Sequence, residues 1–279
     1  MSDAEWTLVR DLLSVPGWLA GRTTNRLATR PSATSGWPSI TSTTVAVRSS
    51  AAGLQTDRTD GRATTPLICL VRHGQASATA EDYDVLSDLG RAQSAADGHE
   101  LARRDLRDPY LVSDTLTRQR DTARLIAEAA GYNQPLHQDA SWNEYDHLAL
   151  IARYAPVSQQ PQPVQDLLDH ALLGWMRDPD AAGGESWAAF SQRAAAALTE
   201  LIARLDRGKD AVVVTSGGLL AALCGALLSL PHESVVALNR VSVNASVTTL
   251  AVDASGTTLL TFNEHAHFAG DRRHMRTYR

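Results

Sequence analysis

Short apolar runs alternate with longer amphipathic stretches from residue 66 onward. The runs Leu67–Val71 and Ala211–Thr215 are rich in β-branched residues and end at polar or glycine-containing segments, so they predict buried strands. Tyr110–Ser113 predicts a third, shorter strand. Near the end of the chain, Ser246–Asp253 and Thr257–Phe262 flank an Ala-Ser-Gly turn and predict a hairpin.

The stretches between these strands carry helical periodicity. Ser87 and Ser186 are of the residue type that caps helix N-termini, and Gly131 is of the type that follows a helix. One predicted helix begins near Leu86. Four others cover Leu116–Gly131, Val164–Met176, Trp187–Leu205 and Leu219–Leu230. The last of them is apolar on nearly all faces, which predicts a buried helix. Strands that alternate with helices indicate an α/β fold.

The first strand is followed by polar residues that could bind a ligand or catalyse a reaction. Arg72, His73 and Gly74 follow its last apolar residue, and this carboxyl edge is where open α/β sheets bind ligands. Arg72 offers a planar, charged fork suited to phosphate, and His73 is a nucleophile or base. Gly74 allows a sharp turn and a close approach by a ligand. Three residues alone are also compatible with a strand that ends in two surface polar groups.

The segment around Arg72-His-Gly resembles the opening of the histidine phosphatase superfamily, also called the phosphoglycerate mutase-like family. Four later segments match the family in the expected order: Ser113–Ala123, Trp142–Glu144, Gly184–Ser186 and Val212–Gly218. The resemblance covers roughly residues 66 to 279. It implies a three-layer α/β sandwich with a mostly parallel central sheet flanked by helices, in which the first strand and Ala211–Thr215 are adjacent and central.

The resemblance also implies roles for individual residues. His73 would attack phosphorus and form a phosphohistidine, and Arg72 and Arg118 would bind the phosphoryl group. Glu144 would protonate the leaving oxygen and then act as the base for water. These positions together predict phosphoryl transfer at the carboxyl edge of the sheet.

One position departs from the family pattern. The late strand of the family usually ends in His-Gly, and here Ser216 stands in place of the histidine, followed by Gly217. We expect Ser216 and Gly217 to bind phosphate at this strand-to-helix turn. A serine hydroxyl carries no charge, so we expect a histidine from elsewhere to compensate, with His267 first. A surface position for His267 is an equal alternative. The candidate accessory residues are Gly74, Gln75, His147 and His267.

The predicted function is a phosphomonoester hydrolase that acts on a small phosphorylated metabolite or protein. The mechanism needs no cofactor and no metal, and the sequence has no clustered ligand set. A phosphate-binding pseudo-enzyme is the alternative, although a binder would not need Glu144. A phosphoglycerate mutase is less favoured, because the loop after Gly74 lacks the asparagine found in the mutases and because Ser216 also departs from them.

The region before residue 66 has a different composition. Residues 21–65 are rich in Ser, Thr, Arg, Gly and Pro, with six Arg against two Asp. Such a segment buries too little apolar surface to offset its ordering entropy, so residues 1–65 are predicted to be a disordered extension and residues 66–279 the domain. A targeting or binding arm is the alternative. Residues 148–184 are predicted to be an insertion, which in the family covers the pocket.

Composition narrows the class of partner. The 279 residues are 43% hydrophobic and carry a net charge of −5, which gives no support for a nucleic-acid binder. No apolar run reaches the roughly 18 residues of a membrane span, and both cysteines lie in apolar runs rather than in a disulfide framework. We expect a cytoplasmic protein with a phosphorylated small-molecule substrate. The sequence leaves its oligomeric state open.

Overall fold

The computed structural model describes residues 65–77, 84–155, 163–179, 184–205 and 208–278. The predicted extension, residues 1–65, lies outside the described residues except for Thr65, so its disorder stays a prediction. No helix in these ranges is long and apolar enough to cross a membrane.

The described residues contain one six-stranded sheet with the order β3-β2-β4-β1-β5-β6. β1 to β4 run parallel to one another. β5 is antiparallel to β1, and β6 is antiparallel to β5 and therefore parallel to β1. The strands are β1 (Leu67–Arg72), β2 (Tyr110–Ser113), β3 (Leu136–Gln138), β4 (Ala211–Thr215), β5 (Val247–Asp253) and β6 (Gly256–Glu264). The predicted α/β sandwich is therefore confirmed, with β1 and β4 adjacent and central.

Helices cover both faces of this sheet. They are α1 (Asp88–Ala102), α2 (Thr117–Ala130), α3 (His147–Tyr154), α4 (Val164–Arg177), α5 (Trp187–Arg204), α6 (Gly217–Leu227) and α7 (His232–Val241). The Ser87 side chain accepts from the Gly90 N–H and the Ser186 side chain from the Ala189 N–H, so both serines cap their helices as predicted. Gly131 follows α2 with φ of 71°, a left-handed conformation that favours glycine.

Alternation along the two central strands builds the two halves of the core. Ile68 and Leu70 of β1 face the side covered by α4, α5 and α6, whereas Cys69 and Val71 face the side covered by α1 and α2. β4 is buried along its whole length. Strands buried on both faces read as uninterrupted apolar runs, which is why the sequence predicted them well.

The structure differs from the predicted elements in the second half of the chain. α6 ends at Leu227 instead of Leu230, since the backbone turns left-handed at Ser229 and Pro231 then precedes α7. α7, α3 and the three-residue strand β3 were not predicted. Each is short, and a short element is stabilised by its neighbours more than by its own periodicity.

Contacts at both ends of β1 and β4 hold the two strands in register. At their carboxyl ends, Arg72 is in register with Thr215, and the His73 N–H donates to the Thr215 carbonyl at 2.9 Å. At their amino ends, the buried Asp210 carboxylate accepts from the Leu67 N–H at 2.8 Å and pairs with the Arg107 guanidinium at 2.6 Å. The residues that follow the two strands are thereby held at one edge of the sheet.

The loop after β1 lies against the first turn of α1. A Cβ added at Gly74 would lie 2.4 Å from the Gly90 carbonyl oxygen, and a Cβ at Gly90 would lie 2.1 Å from the Gln75 carbonyl oxygen. Both neighbours are backbone atoms, which yield only if the loop and the helix separate. The two glycines therefore allow the close packing that orients the loop.

Gly90→Ala should lower the free energy of unfolding by about 1–3 kcal/mol, the usual cost of overpacking a tight contact. Helix propensity alone would favour alanine by about 1 kcal/mol, so a net loss would show that the backbone contact dominates. Urea unfolding followed by circular dichroism measures the change. Gly184→Ala is the matched control, because a Cβ there meets no atom within 4 Å. Equal stability of both variants would contradict the packing argument.

Candidate active site

A cavity opens at the edge of the sheet where β1 and β4 end. It brings together six of the residues singled out in the sequence: Arg72, His73, Arg118, Glu144, His147 and Gly217. Its other lining residues are Ala76, Tyr145, Gln165, Leu168, Asn239, Asn244 and Tyr278. The described residues contain no group of three or more His, Cys, Asp or Glu side chains that could hold a metal ion.

The ring of His73 is held in one orientation. Its Nδ1 lies 2.6 Å from the Gly74 carbonyl oxygen, and because a carbonyl only accepts, Nδ1 carries the proton. In the neutral ring Nε2 then keeps its lone pair, and the Arg118 Nε–H donates to it at 3.3 Å. The Asn244 amide donates to the His73 carbonyl at 3.2 Å and fixes the backbone. Nε2 is therefore the nucleophilic atom that this arrangement presents.

The charge state of His73 follows from its surroundings. Burial lowers the pKa of His73 well below its ordinary value, and the cations of Arg118 and Arg72 lower the pKa further. The hydrogen bond to the Gly74 carbonyl opposes both effects. The imidazole is accordingly neutral at pH 7, which is the form that can attack phosphorus.

Arg118 lies at the start of α2, where free backbone N–H groups already favour an anion. Its Nη1 donates to Asp84 at 2.8 Å, and the same carboxylate accepts from the Thr117 N–H at 2.7 Å. Asp84 thus caps α2 and orients Arg118 at the same time. The sequence analysis missed Asp84, since its contact with the helix depends on how the preceding loop folds.

Arg72 extends from the end of β1 across the turn that follows β4. Its Nη1 donates to the Ser242 carbonyl, and a Cβ added at Gly217 would lie 3.3 Å from its Nε. Gly217 therefore leaves room for the guanidinium beside the backbone of the turn. The two predicted phosphate-binding arginines both line the cavity, in which His73 also lies.

Glu144 enters the cavity from the loop before α3. Its carboxylate accepts from the Gly218 N–H at 2.9 Å and from the Tyr145 N–H at 3.2 Å. Burial raises the pKa of Glu144 above its ordinary value, while these two hydrogen bonds and the cations of Arg118 and Arg72 oppose the rise. The Thr215 hydroxyl donates to the Trp142 carbonyl at 2.7 Å and so ties this loop to β4. A carboxyl group of raised pKa suits a general acid.

Three of the predicted site residues lie outside the cavity lining. Ser216 is buried and lies outside the cavity lining, with its hydroxyl oxygen accepting from the Gln119 amide at 2.5 Å. Gln75 also lies outside the cavity, because its backbone N–H donates to Gln93 and its side chain accepts from the Ser87 hydroxyl. Gly74 packs against α1 as described above. These three residues contact the elements that surround the cavity and do not line the cavity itself.

His267 does not compensate for Ser216. It is buried away from the cavity, and its Nε2 donates to the Ala245 carbonyl at 2.9 Å. Burial lowers the pKa of His267, so its ring is neutral and lies 3.9 Å from the buried Asp97 carboxylate. Its contact with the Ala245 carbonyl supports the turn that precedes β5. The expected rescue by this histidine is therefore wrong, and the surface alternative is wrong as well.

The end of the described chain, residues 275–278, reaches the cavity wall. The Gln93 amide donates to the Met275 carbonyl at 2.6 Å and to the Thr277 hydroxyl at 2.8 Å. The Asn244 N–H donates to the Thr277 carbonyl at 2.8 Å. Tyr278, which comes next, lines the cavity. The topology could have indicated this: β6 runs parallel to β1, so the chain leaves it at the same edge.

A second cavity of about 450 Å³ adjoins the first and shares Glu144 and Tyr145 with it. Its remaining lining is mixed, with charged, aromatic and small residues: Asp146, Ala149, Leu150, Arg153, Tyr154, Trp175, Gly184 and Glu185. α3, which begins at His147, contributes Leu150, Arg153 and Tyr154 to the lining of this second space. The chain therefore offers a small charged cavity with a larger space of mixed lining beside Glu144.

Comparison with known proteins identifies relatives over most of the domain. A model of the histidine phosphatase superfamily (branch 1) matches residues 68–265. The glucosyl-3-phosphoglycerate phosphatase of Mycolicibacterium vanbaalenii is 34% identical over 208 residues, which cover 66% of this chain and 83% of that protein. The protein of the same name from Mycobacterium tuberculosis is 32% identical over 211 residues, which cover 66% of this chain and 84% of that protein.

Solved structures agree with these relatives. A mycobacterial glucosyl-3-phosphoglycerate phosphatase in complex with VO3 superposes with a TM-score of 0.54 at 28% identity, covering 72% of this chain and 100% of that one. A phosphoglycerate mutase from Bacillus anthracis superposes with a TM-score of 0.53 at 22% identity, covering 74% of this chain and 97% of that one. The second likeness is one of fold alone.

Replacing Arg118 by Gln should raise the pKa of His73, because it removes a cation that disfavours the imidazolium. NMR titration of the histidine ring protons measures the pKa in the wild type and in the variant. Arg204→Gln is the control, since Arg204 is exposed and pairs only with Glu200 among the described ion pairs. A wild-type His73 that titrates at or above its ordinary pKa would contradict the electrostatic account of the site.

Proposed function

The chain belongs to the histidine phosphatase superfamily, as its motifs predicted, and is by class a phosphatase; we propose that His73, Arg72, Arg118 and Glu144 are the residues that hydrolyse its substrate. The substrate that we propose is a small phosphorylated metabolite whose leaving group is bulky and polar. The single observation that carries the assignment is the unprotonated Nε2 of His73, held beside Arg118 in a cavity that Glu144 also lines.

In the first step, His73 Nε2 attacks phosphorus, the P–N bond forms and the bond from phosphorus to the leaving oxygen breaks. Arg72 and Arg118 neutralise the charge on the phosphoryl oxygens. The protonated carboxyl of Glu144 gives its proton to the leaving oxygen, so the alcohol departs neutral. The proton on Nδ1 stays in its hydrogen bond to the Gly74 carbonyl and stabilises the phosphoimidazole.

In the second step, the Glu144 carboxylate takes a proton from water as the water oxygen attacks phosphorus. The P–N bond breaks, phosphate leaves and Nε2 recovers its lone pair. Glu144 ends protonated and ready for the next turnover. Both protons of the cycle pass through one carboxyl group whose raised pKa follows from burial.

The second cavity supports the choice of substrate. The leaving oxygen has to lie beside Glu144, and the space of about 450 Å³ adjoins that residue. Its lining combines hydrogen-bonding groups such as Asp146 and Arg153 with the ring of Tyr154, which suits a hydroxylated group. The relatives named glucosyl-3-phosphoglycerate phosphatase make a glycosylated phosphoglycerate the first substrate to test.

The predicted insertion, residues 148–184, fits this proposal. Gln165 and Leu168 of α4 line the phosphoryl cavity, and Leu150 and Tyr154 of α3 line the adjoining one. We therefore propose that this stretch shapes substrate choice. A cytoplasmic location stays a prediction from the sequence.

The purified full chain should hydrolyse glucosyl-3-phosphoglycerate faster than 3-phosphoglycerate, with EDTA present throughout. His73→Ala should abolish turnover and also the acid-labile phosphoenzyme that rapid quenching traps in the wild type. Phosphate release measures the first effect and radiolabel transfer the second. Turnover that persists in His73→Ala would contradict the proposed nucleophile, and equal rates on both substrates would contradict the proposed leaving group.

Glu144→Gln should slow hydrolysis of an alkyl phosphate by about 10²–10⁴-fold, the usual contribution of a general acid. Hydrolysis of p-nitrophenyl phosphate should fall much less in its first step, because nitrophenolate leaves without a proton. In the wild type, alkyl phosphate turnover should decrease as pH rises through the raised pKa of Glu144, and the variant should lack this decrease. Equal losses on both substrates in the first step, measured as the rate at which the phosphoenzyme forms, would contradict the role of Glu144 as the acid.

A further inference from the structure

The site lacks one donor that the family pattern supplies. The residue at position 216 is a serine, and its hydroxyl oxygen accepts from the Gln119 amide at 2.5 Å. Ser216 is 1% exposed and lies outside the cavity lining. Because this side chain does not line the cavity, a phosphoryl group bound between Arg72 and Arg118 receives no hydrogen bond from it.

Asn239 occupies the adjacent space. It lies on α7 and lines the cavity. A Cβ added at Gly217 would be 3.1 Å from the Asn239 Oδ1 and 3.3 Å from the Arg72 Nε. The Asn239 amide and the Arg72 guanidinium thus lie side by side in front of Gly217, and both line the cavity. A ligand oxygen in the part of the cavity that these two side chains border would be within reach of both.

The other end of the amide has a partner that permits either orientation. The Asn239 Nδ2 lies 3.4 Å from the Tyr145 hydroxyl. A hydroxyl both donates and accepts, so rotating the amide by 180° replaces this contact with one from the Tyr145 O–H to Oδ1. The amide N–H then points to the space in front of Gly217. An oxygen there suits a neighbouring guanidinium, whereas an N–H there suits a bound anion.

We propose that Asn239 donates a hydrogen bond to a phosphoryl oxygen of the substrate and so replaces the histidine that the family places at position 216. The inference rests on the proposed function only in that the cavity binds a phosphoryl group. An amide does not titrate, so this donor keeps its proton at every pH at which the fold is stable. The serine that stands at position 216 in place of the family's histidine then removes a charge from the site without removing a donor.

The test compares Asn239→Ala and Asn239→Asp with the wild type in two measurements. Calorimetric titration with inorganic phosphate should show an affinity lower by roughly 10- to 100-fold in Asn239→Ala, the worth of one hydrogen bond to a charged group. The value of kcat/KM for p-nitrophenyl phosphate should fall by about 10²-fold. Asn239→Asp should lose more, because a carboxylate repels phosphate.

Ser234→Ala, on the same helix and outside the cavity lining, is the control and should match the wild type in both measurements. Thermal melts confirm that each variant folds. Adding Ser216→His to Asn239→Ala should restore part of the phosphate affinity, because it returns the donor of the family pattern.

Phosphate affinity and kcat/KM for p-nitrophenyl phosphate within twofold of the wild type in Asn239→Ala would overturn the inference. A loss confined to glucosyl-3-phosphoglycerate would also overturn it, since Asn239 would then contact the leaving group. If the wild type binds phosphate but hydrolyses no phosphomonoester, the proposed function fails. The affinity of Asn239→Ala for phosphate still decides the inference in that case.

Discussion

The parallel pairing of β1 with β4 is the constraint on which the site depends. It places the residues after Arg72 and after Thr215 at one edge, where the His73 N–H reaches across to β4. A slip of one residue in this register would turn His73 away and expose half of the core. The buried Asp210 at the opposite end of both strands opposes such a slip, because its carboxylate bonds the start of β1 and the Arg107 guanidinium.

Burial acts on the two titratable groups of the cavity in opposite directions. Burial and two arginines lower the pKa of His73, whereas burial raises the pKa of Glu144 against the same arginines. One physical effect, desolvation, thus disfavours the charged form of both groups. Arg118 already pairs with Asp84, so a bound phosphoryl group would add its negative charge beside a guanidinium that the fold has fixed in place.

Those parts of the site that follow from local sequence could be predicted, and those that depend on packing could not. His73 and Arg118 lie in short motifs whose spacing places them at a strand end and a helix start. Tyr278 and Asn239 reach the cavity through tertiary contacts, from the residues after β6 and from the ten-residue helix α7, which was not predicted. The prediction for His267 was wrong for the same reason, because the sequence pattern after β6 does not show which part of the fold the imidazole ring will contact.

The change at position 216 has consequences that the strand alone does not contain. The end of β4 and the side of α7 meet at Gly217. The part of the cavity that lacks the family's histidine donor is therefore bordered by α7 as well. Because Gly217 has no side chain, the amide of Asn239 and the guanidinium of Arg72 approach the same point without steric conflict. Loss of a side chain on one element therefore does not require loss of the interaction, provided that a neighbouring element faces the same ligand atom.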